Sequence, residues 1–313
     1  MFFPKIDSGY SFNRQAFHAG PVFARTFTTP PKLQIGTEGF AGSAGEVNRF
    51  SDLVIRIRLL SQAKLPAPNI LLEDGAVLVL NKPGGLLTQG PPGIDSLELR
   101  MKQFLKVRDE KPGKVYLGVP HRLDRPVSGV IVVVKNVRAA NRISEQLRNR
   151  TVTKKYWTVV EGVVGAEDGT DEGPTTGTWA DWMRKLPEQA KSEITSEDHP
   201  DAKHAVLRFT VLAQRATRTL LEIELETGRT HQIRLQCATR GFPILGDTLY
   251  GSEVPFGPDV VDLRKRWIAL HARRLAFVHP IAKTNIDQTC PIPEHWNVFT
   301  EFESILGPAE ARQ

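Results

Sequence analysis

A chain of 313 residues with 40% hydrophobic and 24% charged residues has the composition of an ordinary globular protein and enough length for one large domain or two modest ones. Its formal net charge of +6 draws it toward polyanions, and its two cysteines, Cys237 and Cys290, stand in no C-x-x-C arrangement, which excludes a disulfide framework or a structural zinc site and fits a reducing compartment. No apolar run reaches the ~18 residues that span a bilayer, so no membrane partner is expected.

Residues 1–45 differ from the rest, being rich in Phe, Gly, Ser, Thr and Pro, with Lys5, Arg14, Arg25 and Lys32 facing only Asp7 in the first 37 positions. They read as a disordered extension or misassigned start in a cytoplasmic protein, or alternatively as a transit peptide to a mitochondrial or plastid matrix. Residues 46–68 form a linker or short element, helical or extended over Val47–Ala63, closed by Pro66 and Pro68. A catalytic domain is expected over 69–300 and a tail over 301–313.

From Asn69 the string I-L-L-E-D-G-A-V-L-V-L-N-K-P-G-G reads as a strand, a turn at Asp74-Gly75, a second strand and a stop at Pro83-Gly84-Gly85. Asp95–Lys106 is helical by spacing, with Leu97, Met101, Phe104 and Leu105 on one face and Asp95 or Ser96 as cap. Next comes P-H-R-L-D-R-P-V-S-G, running into an unbroken β-branched string from Val130 to Val134. Such a run, with no polar face, predicts a strand buried on both sides, and Pro126 and Gly129 confine His121, Arg122, Asp124 and Arg125 to a turn at its mouth. An acid held on so rigid a support is a candidate reactive group, whereas an arbitrary Asp-Arg pair is usually a surface ion pair of little energy.

Val137–Asn149 is a second helix, flanked by Arg138, Arg142, Arg148 and Arg150, and Thr151–Gly162 alternates as a strand. Gly165–Asp201 reads as a turn-rich excursion whose acids Glu167, Asp168, Asp171 and Glu172 face away from any polyanion, with Trp179 and Trp182 anchoring it to the core. Two strands follow at Ala205–Ala213 and Thr219–Leu225 and lead into E-T-G-R-T-H-Q-I-R, where Thr230 can cap a helix that Gly241 ends, and where helix-start amides with Arg229 make a phosphate seat. The strings P-I-L-G-D-T-L-Y-G, A-L-H-A-R-R-L-A-F-V-H-P and C-P-I-P-E-H-W complete the chain. Hairpin turns without βαβ alternation argue for an α+β fold with a mostly antiparallel sheet and a few flanking helices.

N-K-P-G-G, H-R-L-D-R-x-x-S-G, K-K-Y and T-G-R-T-H-Q-I-R, in this order, resemble the motifs of the RluA-type pseudouridine synthase family over about Asn69–Phe299. One departure is Val127, where the family commonly has Thr; it touches substrate preference more than chemistry. The resemblance implies an isomerase that converts a specific uridine of tRNA or rRNA to pseudouridine. It makes Asp124 catalytic, gives Tyr156 the stacking and proton-carrying role, and pairs Arg234 with Asp124, which favours the ionised carboxylate. Arg122 helps displace the base, Leu225 packs against it, and Arg229, His121 and Lys82 complete the substrate-binding set, with Lys154 and Lys155 as further phosphate contacts. His231 orders its loop, and His271, Arg273 and His279 are structural or peripheral. No metal, cofactor or obligate protein partner is implied; the partner is RNA. The competing reading is a catalytically silent RNA-binding or ribosome-assembly factor on the same fold, against which the intact Asp124, Tyr156 and Arg234 count. A nucleotide-dependent small-molecule enzyme would need a phosphate loop or dinucleotide fingerprint that the chain lacks.

Overall fold

The β-branched string after Asp124 forms the third strand of a ten-stranded sheet, and all seven of that strand's residues are buried. The computed structural model describes residues 65–165 and 176–307. The leader-like residues 1–45, the segment Val47–Ala63 and the acids Glu167, Asp168, Asp171 and Glu172 lie outside the described residues.

The strands are β1 (Asn69–Asp74), β2 (Val77–Lys82), β3 (Ser128–Val134), β4 (Thr153–Glu161), β5 (Thr176–Lys185), β6 (Ser192–Ile194), β7 (Lys203–Arg215), β8 (Arg218–Leu225), β9 (Leu270–Val278) and β10 (Asn285–Thr289). They lie in the order β1-β2-β3-β9-β4-β8-β7-β5-β6, and β10 pairs with β9 on the edge it shares with β3. Every strand pairing is antiparallel except a short parallel contact of β3 with β9, Ser128 opposite His271 and Gly129 opposite Ala272. Helices α1 (Leu97–Arg108), α2 (Val137–Arg148), α3 (Gln232–Ala238) and the short α4 (Glu303–Leu306) flank it, so the fold is α+β, as the hairpin pattern predicted.

Strands β2 and β3 make the densest part of the core. Val77 to Leu80 and Val130 to Val134 are each no more than 2% exposed, and burial of such a side chain contributes on the order of 2 kcal/mol. Gly129 is required where β3 meets β9. Its φ is +119°, and a Cβ there would sit 2.4 Å from the Ala272 carbonyl oxygen. Its neighbour Ser128 places Oγ 2.9 Å from His271 Nδ1, so the Ser-Gly pair of the central string is what lets two halves of the sheet join. The expected structural place of His271 is thereby accounted for.

Helix caps follow the sequence. The Ser96 side chain accepts from the Leu99 amide at 3.2 Å and Asn136 from the Ala139 amide at 2.9 Å, while Leu97, Met101 and Leu105 turn inward from α1. The stretch 165–201 departs from the expected turn-rich excursion, because residues 176–185 are a full strand and 192–194 a short one. Its Gly and polar content hid the strand, whose partner β7 supplies the apolar surface. Trp179, 9% exposed, packs against Phe209 with ring centroids 4.6 Å apart and planes tilted by 41°, and the Phe209 ring also occupies the space where a side chain at Gly177 would lie. Packing continues past residue 300, with Phe302 and Leu306 in the same core. Among the described residues no helix is long and apolar enough to cross a membrane.

Candidate active site

A cleft of about 840 Å³ opens where the turn before β3, the start of β4, the end of β8 and the start of α3 converge. That volume lies within the ~300–1,000 Å³ of small-molecule sites. Arg122, Arg148, Arg150, Lys154, Arg208, Arg229 and Arg234 line it against only Asp124, Glu224 and Glu226, so it is cationic. Of the sequence candidates, the cleft gathers His121, Arg122, Asp124, Tyr156, Leu225, Arg229 and Arg234.

The backbone on each side of Asp124 is tied down. Thr88 Oγ1 donates to the Leu123 carbonyl at 2.8 Å and accepts from the Leu123 amide at 3.1 Å, and the Val127 amide closes a turn onto the Asp124 carbonyl at 3.1 Å. Arg125 Nε donates to the Gly85 carbonyl at 3.2 Å. The carboxylate itself stays 22% exposed in the cleft, with Oδ2 3.4 Å from Arg234 Nη1 and 3.6 Å from His231 Nε2.

Lys82 does not line the cleft, contrary to its expected substrate role. Lying at the end of the buried β2, it is fully buried, and Nζ donates to the carbonyls of Pro83, Leu86 and Arg125 at 2.8, 2.7 and 3.3 Å. Burial pushes its ammonium down to about 7 against the opposing pull of the Asp124 charge. Three carbonyls for three N–H donors make it a strut beneath the Asp124 turn.

Tyr156 sits at a bulge in the β4–β9 pairing. Lys155 faces Arg274 but Tyr156 faces Ala272, so Arg273 is the extra residue. Bulges of this kind re-aim side chains beside active sites. The ring is 8% exposed, and burial, then the Asp124 charge, raises its hydroxyl pKa well above the ordinary phenol, so it keeps its proton. Strand alternation lets only one of the two preceding lysines share its side. Lys154 lines the cleft, whereas Lys155 pairs with Glu222 at 2.6 Å and makes no cleft contact.

His121 lines the cleft through an imidazole whose Nε2 accepts from the Val132 amide at 3.0 Å, and burial lowers its pKa to about 4. Arg122 is exposed at the mouth. Arg229 spends its Nε on the His204 carbonyl at 2.9 Å, while its own amide donates to Gln232 Oε1 at 3.0 Å. The residue that opens α3 is His231 rather than Thr230: it is the N-cap, in the left-handed region at φ 56°, and makes no side-chain capping bond. From that position its imidazole Nε2 lies 3.6 Å from Asp124 Oδ2. At the far end, Gly241 at φ +81° ends the turn after α3, its amide donating to the Ala238 carbonyl.

Arg234 has a stronger partner than the one expected. Nε and Nη2 donate to both oxygens of Asp247 at 2.6 and 2.8 Å, a bidentate pair with side chains 5% and 2% exposed, and the guanidinium lies 5.1 Å from the Tyr250 ring centroid. Only Nη1 remains for Asp124. Asp247 and Tyr250, from G-D-T-L-Y-G, were given no role from sequence, although a buried Arg itself calls for a buried acid.

The family model described as RNA pseudouridylate synthase matches residues 76–239. An uncharacterized RNA pseudouridine synthase of Bacillus subtilis is 34% identical over 232 residues, covering 72% of this chain and 69% of its own length. The ribosomal large subunit pseudouridine synthase D of Xanthomonas campestris is 36% identical over 234 residues, covering 72% of this chain and 66% of its own. A solved structure, Human RNA Pseudouridylate Synthase Domain Containing 4, shares the fold with a TM-score of 0.58 at 24% identity, over 82% of this chain and 97% of that one.

Proposed function

Because the chain belongs to the RNA pseudouridylate synthase family, isomerases of uridine in RNA, we propose that its substrate is a uridine of large-subunit ribosomal RNA and that Asp124 carries the reaction. The rRNA assignment is supported by relatives named ribosomal large subunit pseudouridine synthase D and C. The observation behind the catalytic assignment is the half-buried Asp124 carboxylate, fixed in the turn that leads into the buried strand β3 and facing Arg234 in a cationic cleft beside Tyr156.

The reaction breaks the N1–C1′ bond of uridine, turns the uracil and joins C5 to C1′. The C5 proton leaves and N1 takes one up, so no second substrate is consumed. A stacked, paired uridine cannot reach a carboxylate on the cleft floor, so the nucleotide is flipped out. Arg122 at the mouth fills the space it leaves, and Tyr156 and Leu225 hold the base. Asp124 begins the chemistry at the ribose, by attack on C1′ or by removal of the 2′ proton, and both routes use the ionised form. A tyrosine that keeps its proton serves as a stacking surface rather than as a phenolate base.

The test is a pseudouridine map of total RNA from cells lacking the protein, complemented with wild type or Asp124→Ala. One large-subunit rRNA uridine should lose its mark and regain it only with wild type, and purified Asp124→Ala should be slower by ~10³-fold or more. An unchanged map, with both versions rescuing a growth or ribosome defect, would establish the binding-factor reading instead.

A further inference from the structure

The mechanism above leaves one half of the polar cluster unused. His231 Nδ1 lies 2.9 Å from Tyr250 Oη, and Tyr250 Oη accepts from the Ser192 amide at 2.9 Å. On its other side His231 Nε2 stands 3.6 Å from Asp124 Oδ2. The rings of His231 and Tyr250 meet edge to face at 5.7 Å.

The proton positions follow from these contacts. Burial lowers the pKa of His231, so its ring carries one proton. With a carboxylate oxygen facing Nε2, that proton belongs on Nε2, because a bare lone pair there would be repelled. Nδ1 is then an acceptor, and the Tyr250 hydroxyl donates to it in preference to the more distant Ser192 carbonyl at 3.3 Å. His231 holds a left-handed backbone at φ 56°, and its ring lies between these two groups.

We propose that His231, locked in one tautomer by Tyr250, is a positioning residue that turns an N–H toward Oδ2 of Asp124, the oxygen that Arg234 also approaches, orienting the carboxylate so that Oδ1 meets the ribose. Arg234 and His231 approach the same oxygen, so together they set the rotation of the carboxylate. Tyr250 serves both arms, since its ring underlies the Arg234 guanidinium. The inference rests on the pseudouridine synthase reading of Asp124.

Two amide side chains separate the two ring nitrogens. A glutamine amide nitrogen reaches about where Nε2 lies, whereas an asparagine reaches only as far as Nδ1, and asparagine tolerates the left-handed backbone best. The substrate is unmodified, C5-tritiated total RNA from cells lacking the protein, and the readouts are single-turnover tritium release, RNA affinity and thermal midpoint. His231→Asn should slow the single-turnover rate roughly tenfold or more, the loss expected when the 3.6 Å approach of Nε2 to Oδ2 closes to a charge-assisted hydrogen bond in the RNA complex, with RNA affinity and midpoint near wild type. His231→Gln should stay within about threefold of wild type. Tyr250→Phe should slow the rate several-fold and add little to His231→Asn, because both act through one contact. Equal losses in the Asn and Gln variants, additive effects of Tyr250→Phe and His231→Asn, or losses confined to affinity or midpoint would overturn the relay. Absence of tritium release by the wild type would overturn the pseudouridine synthase reading itself, and the relay that rests on it, a result distinct from variant losses measured against an active wild type.

Discussion

The two walls that meet at Asp124 are built by opposite means. The β3 wall is dry: a strand buried at all seven positions, a turn held through backbone groups by Thr88, and Lys82 capped by three carbonyls. The α3 wall is just as buried, with residues 232–237 all inside, but its inward groups are Gln232, Arg234 and Gln236, fixed by ion pairs and amide contacts. Packing fixes where the carboxylate is; charge fixes how it is turned. The two functions are separable, and substitutions on each wall should show it.

The largest effect is expected at the ionic wall. Asp247→Asn strips the buried Arg234 charge of its bidentate partner and leaves it only the longer contact with Asp124 at 3.4 Å, which should cost about 3 kcal/mol or more in urea unfolding and free the guanidinium from its present angle toward Asp124. Replacing both partners, Arg234→Met with Asp247→Leu, should restore most of that stability, since an apolar pair of similar volume often matches a buried ion pair. Activity should stay lost. A double variant as unstable as Asp247→Asn, or one that regained pseudouridine formation, would show that this wall is held by packing after all.

On the dry wall the corresponding change is Lys82→Met. The aliphatic stem is kept, but the carbonyls of Pro83, Leu86 and Arg125 lose their donor inside the protein, for an expected loss of about 3 kcal/mol. Here no apolar partner change can compensate, because the orphaned acceptors are backbone. Stability within ~0.5 kcal/mol of wild type would mean that water or a neighbouring side chain replaces the ammonium and that Lys82 is no strut.

Much of this contrast was legible in the sequence. Five β-branched residues in a row announced β3, and the motif strings located Asp124, Tyr156, Leu225 and Arg234 at one cleft, because local propensity and the family pattern agree there. The misreadings share a cause. Lys82 looked like a strand-end lysine because nothing in the string N-K-P-G-G predicts that its ammonium is buried by Arg125, 43 residues away, whose carbonyl joins those of Pro83 and Leu86 around it. Asp247 lies 13 residues beyond Arg234, in another element, and the β5 strand depended on Phe209 and β7 for its apolar surface. Long-range partners decided all three.

The effect that is smallest at neutral pH grows in acid. His121 on the dry wall has its pKa lowered from 6.5 to about 4, and His271, against Ser128, to about 3, both by burial of the imidazole. In the unfolded chain each takes up its proton near 6.5, whereas the folded protein refuses it until near 4 or 3, so the unfolded state holds more protons in between. Stability contributed this way is complete above pH 6.5 and is lost as pH falls through that window, at a slope approaching ~1.4 kcal/mol per pH unit for each histidine. His121→Gln keeps an oxygen to accept the Val132 amide but cannot titrate. Its urea stability, measured from pH 7 to pH 4, should therefore converge on wild type or overtake it at the acid end, whatever the offset at pH 7. Curves that stay parallel across the window would mean that His121 titrates alike in both states, and that the dry wall is wetter at its mouth than its hydrogen bond to Val132 implies.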